Sequence, residues 1–156
     1  MPTPPFPSQS AEDYLERIQE LIDEKGYARV VDIANSLQVK QASVTSMVQK
    51  LSELGFIHYE KYRGLTLTTA GHDVAQLIKK RHHTLSRFFS ILGLPPEIQQ
   101  QDIEGIEHHL SPETVQCLAD LTKYFENHPL RLKQFLSTKS TVTIPPPPLA
   151  PRTESL

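Results

Sequence analysis

The chain has 156 residues, a formal net charge of −2 and a single cysteine, Cys117. This length suits one large domain or two small ones with a real core, and one cysteine excludes an internal disulfide or a cysteine-rich zinc site. Because no run of about 18 apolar residues and no basic-then-apolar leader occurs, we expect a cytoplasmic protein that does not enter a membrane.

Charge is distributed unevenly along the chain. Residues 1–39 carry three basic and seven acidic side chains, residues 40–81 carry seven basic and three acidic, and residues 82–128 carry two basic and seven acidic. A basic middle between two acidic stretches predicts one anionic and one cationic partner. Nucleic acid and a metal ion are the natural candidates.

The amino-terminal segment, residues 1–9, contains four prolines and is predicted to be a disordered arm. Ser10 is the expected N-cap of a first helix, which should end at Lys25 because Gly26 follows. The apolar stripe of this helix consists of Tyr14, Leu15, Ile18, Leu21 and Ile22. Asp13 and Glu16 lie three residues apart on another face, which periodicity alone would leave exposed to solvent.

A helix-turn-helix pattern follows. A short helix should begin near Val31, with a turn at residues 38–41 and a second helix over about residues 42–54. The buried side of the second helix is marked by Val44, Val48, Leu51 and Leu54. The residues expected to contact base edges and phosphates are Lys40, Gln41, Ser43, Thr45, Ser46, Gln49 and Lys50.

Two short strands, at about residues 56–60 and 65–68, are joined by a basic loop and predict a β-hairpin. A hairpin after a helix-turn-helix is a winged helix, whose wing contacts the DNA backbone or minor groove. Lys61, Tyr62 and Arg63 are therefore expected to contact DNA. The alternative is a helix-turn-helix that serves only packing, which the concentration of basic charge in this region disfavours.

One long helix is predicted from Thr69 to about Leu92. His82 occupies a gap in its apolar stripe and should face inward, whereas His83 should point about 100° away. A further helix, over about residues 97–110, contains the sequence Asp-Ile-Glu-Gly-Ile-Glu-His-His-Leu.

The acidic sequence at residues 102–110 predicts part of a metal site. On a helix, Glu104, Glu107 and His108 would share one face beside an apolar strip. Two carboxylates and an imidazole form half of a divalent-metal site, and the inward His82 is a candidate for another ligand. An ordinary acidic surface turn is the alternative that this triplet alone leaves open.

The last helices carry more apolar surface than a small helical domain can bury by itself. Ser111 should cap a helix that starts at Pro112 and ends near Asn127, and a short helix could follow at residues 129–136. The apolar face of the helix that starts at Pro112 includes Val115, Leu118, Leu121, Tyr124 and Phe125. A homodimer interface accounts for this surface. Residues 137–156 are proline-rich and are predicted to be a disordered tail.

The sequence therefore predicts a mainly α fold. Residues 10–70 form a winged helix-turn-helix DNA-binding domain with a small β-hairpin wing. Residues 71–136 form an all-α metal-binding and dimerisation domain. A carboxylate-bridged di-iron enzyme is disfavoured, because such bundles use Glu-x-x-His from two helices. Here Glu-x-x-Glu-His occurs once and follows a winged helix that an oxidase does not need.

Residues 11–136 resemble the manganese-responsive (MntR) branch of the diphtheria toxin repressor (DtxR) family. The matching stretches are residues 12–14, 24–30, 43–45, 47–51, 59–65 and 104–111. The resemblance implies a homodimer and a pair of Mn²⁺ ions per subunit, held between the first helix and the dimerisation helices. The implied ligands are Asp13, Glu16, His82, Glu104, Glu107 and His108.

Two family details favour manganese over iron. The iron-responsive branch has methionine at the position of Asp13 and cysteine at that of Glu107. It also commonly carries an SH3-like domain where this chain has its proline-rich tail. The expected function is thus a Mn²⁺-dependent transcriptional repressor, not an enzyme, that binds a palindromic operator in double-stranded DNA and controls manganese-uptake genes. Response to Fe²⁺ or Zn²⁺, or a merely structural metal, remains the alternative.

Overall fold

The computed structural model describes residues 7–60 and 63–143, and these residues are mainly helical. In chain order the elements are α1 (Gln9–Lys25), α2 (Val30–Leu37), α3 (Gln41–Glu53), β1 (Ile57–Glu60), β2 (Gly64–Leu67), α4 (Thr69–Ile91), α5 (Pro96–Ile106), α6 (Pro112–Asn127) and α7 (Pro129–Ser137). This order confirms the predicted fold class, a winged helix followed by a helical half. Among the described residues, no helix is both long and apolar enough to cross a membrane.

Helix α1 begins earlier than the sequence predicted. Ser8 has the extended backbone of an N-cap, and its hydroxyl oxygen accepts a hydrogen bond from the backbone N–H of Ala11 at 3.3 Å. The prediction that Ser10 is the N-cap was wrong, because Ser10 already lies within the helix. Gly26 ends α1 as predicted, in the left-handed conformation with φ +80°. Of the predicted arm, residues 1–6 lie outside the described residues.

The core of the amino-terminal half forms where α1, α2 and α3 meet. Its fully buried side chains include Leu15, Ile18, Ile33, Val44, Val48 and Leu51. The stripe predicted for α3 is therefore buried, except at Leu54, which lies just after the helix and is exposed. Because one face of α3 is used for packing, its opposite face is free for another partner.

Strands β1 and β2 pair in antiparallel fashion, with Ile57 opposite Leu67 and Tyr59 opposite Leu65. A single bridge from Ala28 to Leu65 ties the hairpin to the segment between α1 and α2. The hairpin matches the predicted wing. At its tip, Lys61 and Tyr62 lie outside the described residues, so only Arg63 of the three predicted DNA contacts is described there.

Helix α4 starts against the base of the wing. The Thr68 hydroxyl donates to the Gly55 carbonyl at 2.6 Å and accepts from the Gly71 N–H at 3.0 Å. A Cβ atom added at Gly71 would lie 1.9 Å from the Phe56 carbonyl oxygen, so only glycine allows this close approach. The contact fixes the start of α4, which continues into the second half of the molecule.

Gly71→Ala is expected to lower the free energy of unfolding by about 1–3 kcal/mol, because the added methyl group overpacks the junction between wing and α4. The matched control is Gly105→Ala in α5, where no atom lies within 4 Å of the added Cβ. That control should raise stability by about 0.5–1 kcal/mol through helix propensity. Urea denaturation of both variants measures the difference, and equal stabilities would contradict the close approach.

Helix α5 ends at Ile106, four residues before the predicted end at Leu110. Residues 107–110 form turns, with the His109 N–H donating to the Ile106 carbonyl at 2.9 Å. Acidic side chains near a helix C-terminus oppose the helix dipole, and Gly105 lowers helix propensity. The prediction that Glu104, Glu107 and His108 share one helix was therefore wrong.

Helices α6 and α7 leave apolar side chains exposed. Ser111 caps α6 as predicted, and its hydroxyl oxygen accepts from the Thr114 N–H at 3.2 Å. The exposed large apolar residues of the helical half include Ile98, Ile106, Leu121, Tyr124, Leu130 and Phe135. This surface is consistent with the expected homodimer. Of the predicted tail, residues 144–156 lie outside the described residues.

Candidate metal centre

Four of the six predicted metal ligands contact one another where α1 and α4 pack together, beside the turn that follows α5. The fifth, Glu16, is close enough for the charges of Glu107 and His82 to act on it. The imidazole of His108 places Nε2 at 2.9 Å from Asp13 Oδ1 and at 3.7 Å from Glu107 Oε1. Nδ1 of His82 lies 3.1 Å from Glu107 Oε2. These contacts join α1, α4 and the α5–α6 connection, so the cluster links the amino-terminal half to the helical half.

Glu107 and His108 are the most enclosed members of this cluster. Their side chains are 6% and 5% exposed, compared with 44% for Asp13 and 43% for His82. The turn after Ile106 places both side chains against α1 and α4, even though they do not belong to a helix. His82 contacts Glu107, although its side chain is less buried than the predicted inward position implied, whereas His83 is exposed.

The two acidic side chains from α1 carry an electrostatic cost. Partial burial raises the pKa of Asp13, and the carboxylates of Glu107 and Glu12 raise it further against the opposing effect of His108. Burial also raises the pKa of Glu16, with further contributions from Glu107, Glu20 and Asp13, while His82 lowers it. Several carboxylates thus lie near one another without enough positive charge to balance them.

Glu104 is not brought into this cluster. Its side chain is exposed, and its Oε1 accepts a hydrogen bond from Gln100 Nε2 at 3.1 Å, one helical turn earlier. Helix α5 ends at Ile106, so Glu104 lies within the helix while His108 lies beyond it. Helical spacing therefore does not place the three side chains together.

The donor chemistry of the cluster fits a divalent cation. Carboxylate oxygens and imidazole nitrogens are ligands for divalent transition metals. Added positive charge would offset the carboxylate repulsion that adds to burial in raising the pKa values of Asp13 and Glu16. In residues 7–60 and 63–143, however, no three His, Cys, Asp or Glu side chains surround a common point as metal ligands do. The imidazoles and carboxylates instead pair with one another.

Glu12 and Arg81 belong to this site but were missed from the sequence. The Glu12 side chain is 6% exposed, and its Oε2 lies 2.6 Å from His108 Nδ1 and 2.7 Å from Arg81 Nη2. The signal was the position of Glu12 three residues before Leu15 and seven before Gln19, both of which are buried on the inner face of α1. An acidic residue on an otherwise packed face needs a buried partner.

Glu16→Gln is expected to stabilise the metal-free protein at neutral pH. The pKa of Glu16 is raised above its ordinary value of 4.5 in the folded state. The contribution of the Glu16 side chain to the stability of the wild type is therefore fully present below pH 4.5 and is lost as the pH rises through the raised pKa. The stabilisation by glutamine should therefore be largest near pH 7 and vanish toward pH 4. Thermal unfolding in EDTA at several pH values measures it.

The matched control for this experiment is Glu24→Gln, an exposed position on the same helix. Its melting temperature should follow that of the wild type at every pH. A Glu16→Gln variant that is less stable than the wild type at pH 7 would contradict the electrostatic account.

A second surface, formed by α3 and the wing, carries those predicted DNA contacts that lie within the described residues. Lys40 and the α3 residues Gln41, Ser43, Thr45, Ser46, Gln49 and Lys50 are all exposed. The Thr45 hydroxyl donates to the Gln41 carbonyl at 3.0 Å, so it is partly engaged within its own helix. The Arg63 side chain is 84% exposed, with Nε 3.4 Å from Glu60 Oε2. A helix with this exposed polar face, beside a wing, suits a DNA major groove.

Two family models match almost the whole described chain. Residues 8–65 match the model described as "Iron dependent repressor, N-terminal DNA binding domain". Residues 68–136 match "Iron dependent repressor, metal binding and dimerisation domain". The boundary between the two models falls at the junction between the wing and α4.

Individual proteins match as well. The HTH-type transcriptional regulator MntR of Listeria monocytogenes serotype 4a (strain HCC23) is 48% identical over 136 residues, which cover 87% of this chain and 96% of that protein. The crystal structure of T. acidophilum IdeR is similar with a TM-score of 0.63 and 34% identity over 74% of this chain. The structure of the manganese regulator SloR has a TM-score of 0.64 and 27% identity over 73% of this chain. The matched regions span 55% and 54% of those two solved chains.

Proposed function

This chain belongs to the iron-dependent repressor family, the diphtheria toxin repressor family, and on that premise we propose that it is an MntR-type, Mn²⁺-responsive, DNA-binding transcriptional repressor. Its partners are DNA and a second copy of the chain, since the family has a DNA-binding and a dimerisation domain. We propose further that the regulated genes serve manganese uptake and that the operator is palindromic, as a two-fold symmetric dimer requires.

Manganese is the metal that the ligand set favours. Mn²⁺ binds weakly in the Irving–Williams series, so a site selects it by hard oxygen donors and geometry and not by affinity. Asp13, Glu16 and Glu107 offer carboxylates, and no thiol lies among the proposed ligands. The relatives named for manganese, MntR and SloR, support this choice.

A pair of ions per subunit is the proposed stoichiometry, and charge supports it. Asp13, Glu16, Glu104 and Glu107 carry four negative charges when ionised, and neutral His82 and His108 carry none. Two divalent cations balance that charge. Glu104, which bonds only to Gln100 within the described residues, would have to turn toward the cluster to serve as the sixth ligand.

The proposed mechanism follows from the elements that the ligands connect. A bound divalent cation supplies the positive charge that the cluster lacks. Asp13 and Glu16 then stay close to Glu107 and His108 without the carboxylate repulsion that now adds to burial in raising their pKa values. Because Asp13 and Glu16 belong to α1, this closeness fixes the amino-terminal half relative to the dimerising half.

The position of α1 matters for DNA because α1 packs against the helices of the winged domain. Two α3 helices in a dimer must lie about one DNA turn apart, roughly 34 Å, to enter successive major grooves. Fixing α1 in both subunits fixes that separation. Couplings of this kind usually amount to about 1–3 kcal/mol, applied here at two half-sites.

The observation that carries the proposal is the set of side-chain contacts between α1 and the helical half, above all that of Asp13 with the buried His108. The test is operator binding as a function of Mn²⁺, measured by fluorescence anisotropy on DNA fragments from upstream of manganese-uptake genes. Affinity should rise at least tenfold on adding Mn²⁺ and fall steeply with salt, because phosphate contacts release counterions. Equal affinity with Mn²⁺ and with EDTA would refute a regulatory metal.

Fe²⁺ response is the second candidate, favoured by the two matching family models, which are both described as iron dependent repressor domains. The same titration under anaerobic conditions with Fe²⁺ in place of Mn²⁺ separates the two. We expect Mn²⁺ to activate at the lower free concentration, because Glu107 supplies a hard oxygen donor and not a thiolate.

A further inference from the structure

Glu12 is a buried carboxylate with two partners on other elements. It lies on α1, its Oε2 accepts a hydrogen bond from Arg81 on α4 at 2.7 Å, and Nδ1 of His108 lies 2.6 Å from the same oxygen. The side chains of Glu12, Arg81 and His108 are 6%, 14% and 5% exposed. Three segments of the chain therefore meet at one oxygen atom next to the metal centre.

This arrangement is poorly explained as a device for stability. A buried ion pair seldom stabilises a fold more than apolar packing of the same volume, because both charges lose their hydration. Within the described residues, Nε of Arg81 is also buried and has no hydrogen-bond partner, which adds a further cost. Glu12 and Arg81 thus carry a cost in folding that another role must offset.

The orientation of the His108 ring indicates that role. Its two nitrogens face different groups. Nδ1 lies 2.6 Å from Glu12 Oε2 and, more distantly, 3.5 Å from Arg81 Nη2, whereas Nε2 faces Asp13 Oδ1 and Glu107 Oε1. A neutral imidazole has one N–H donor and one lone pair, and only the nitrogen with the lone pair binds a metal. If Glu12 accepts the proton of Nδ1, the lone pair of Nε2 is directed to the side where Asp13 and Glu107 lie.

Arg81 explains why Glu12 itself need not be a ligand. Its guanidinium donates to the same carboxylate oxygen that His108 contacts, so the negative charge of Glu12 is already balanced. Asp13, the next residue, points its carboxylate to the other nitrogen of the same imidazole. Adjacent residues of α1 thus hold opposite sides of one ring.

We propose that Glu12, held by Arg81, is a positioning residue that fixes His108 through Nδ1 and so presents Nε2 to the metal. This inference rests on the proposed function, because it assumes that the cluster binds a divalent cation. Removal of a residue that orients a ligand histidine in this way typically lowers metal affinity about 10- to 100-fold.

The first test measures Mn²⁺ affinity directly, by the electron paramagnetic resonance signal of free Mn²⁺ in the absence of DNA. Glu12→Ala should weaken binding about 10- to 100-fold. Glu12→Gln should lose less, because an amide oxygen still accepts from Nδ1. The charge control is Glu24→Gln, an exposed α1 carboxylate, and it should change affinity less than about fivefold. Equal losses in Glu12→Ala and Glu24→Gln would refute the positioning role.

The second test needs no substitution. In ¹⁵N-histidine-labelled wild-type protein loaded with diamagnetic Cd²⁺, long-range ¹H–¹⁵N spectra show which nitrogen of His108 carries the proton. We expect the proton on Nδ1 and the change in ¹⁵N chemical shift caused by the metal on Nε2. The reverse assignment would overturn the proposal.

The failure of the proposed function can be distinguished from the failure of the positioning role of Glu12. A wild-type chain that binds neither Mn²⁺ nor Cd²⁺ would overturn the proposed function and this role with it. A wild type that binds both ions while Glu12→Ala binds Mn²⁺ equally well would overturn only the role of Glu12. If Glu12→Ala does not fold, Glu12→Gln and the wild-type Cd²⁺ spectrum decide the question.

Discussion

Glu107→Gln is expected to abolish Mn²⁺-dependent operator binding. The side chain of Glu107 is buried and lies 3.1 Å from Nδ1 of His82 and 3.7 Å from Nε2 of His108. Glutamine keeps the volume but removes the charge and one oxygen donor. Operator affinity in Mn²⁺ should fall toward the non-specific level, a loss on the order of 10³-fold or more. Anisotropy titrations with operator and scrambled DNA measure this loss.

The same variant should change the metal-free protein in a defined direction. The carboxylate of Glu107 helps to raise the pKa of both Asp13 and Glu16. In Glu107→Gln both pKa values should therefore fall toward their ordinary range, although burial continues to hold them up. Carboxyl ¹³C chemical shifts against pH, recorded in EDTA, report the change.

Glu97→Gln is the control for both measurements, since Glu97 is an exposed residue of α5. It should leave operator affinity and the pKa values of Asp13 and Glu16 unchanged. Full Mn²⁺ activation of Glu107→Gln would mean that the buried carboxylate is not a ligand, and the centre would have to be sought elsewhere.

The helices could be predicted from the sequence because burial imposes a period on it. The stripe of α1 packs as expected, and so does that of α3 apart from Leu54. Gly26 and Ser111 mark helix ends through backbone conformation and side-chain capping. Such signals are local, so a single sequence contains them. The N-cap of α1 was misplaced because two serines, Ser8 and Ser10, are both suitable, and only packing selects between them.

The site was harder to predict because its contacts join distant segments. His82 could be placed on the inner side of α4, yet its contact with Glu107 depends on where α5 ends. Glu107 still has a right-handed helical backbone, with φ −59° and ψ −32°, but α5 has ended at Ile106 and residues 107–109 form turns. Helical spacing therefore overestimated the alignment of Glu104 with His108.

Glu12 shows a different limit of sequence reasoning. Glu12 and Asp13 are adjacent acidic residues about 100° apart around α1. The spacing of Glu12 to Leu15 indicates an inner face, but it does not say which of the two side chains contacts the helical half. Both do, on opposite sides of His108. Only the packing of α1 against α4 brings Arg81 to Glu12. This pairing balances the charge of Glu12 and leaves Asp13 as the candidate metal ligand.

The double substitution Asp13→Met with Glu107→Cys is expected to shift the metal response from manganese toward softer metals. It replaces two carboxylates of the cluster by a thioether and a thiol. The site loses two negative charges, or one if the cysteine binds as a thiolate. Mn²⁺ depends on hard oxygen donors and should lose most, whereas Fe²⁺, Co²⁺ and Zn²⁺ accept sulfur ligands and should lose less or gain.

Operator binding against each metal measures the shift, under anaerobic conditions for Fe²⁺ and with free metal buffered. The double variant should bind DNA with Fe²⁺ or Co²⁺ at concentrations where Mn²⁺ no longer activates it. The two single substitutions separate the contributions, and we expect Glu107→Cys to have the larger effect because Glu107 is buried while the Asp13 side chain is 44% exposed. If Mn²⁺ remains the best activator of the double variant, these two carboxylates do not set metal selectivity, and the ligand assignment built on them fails.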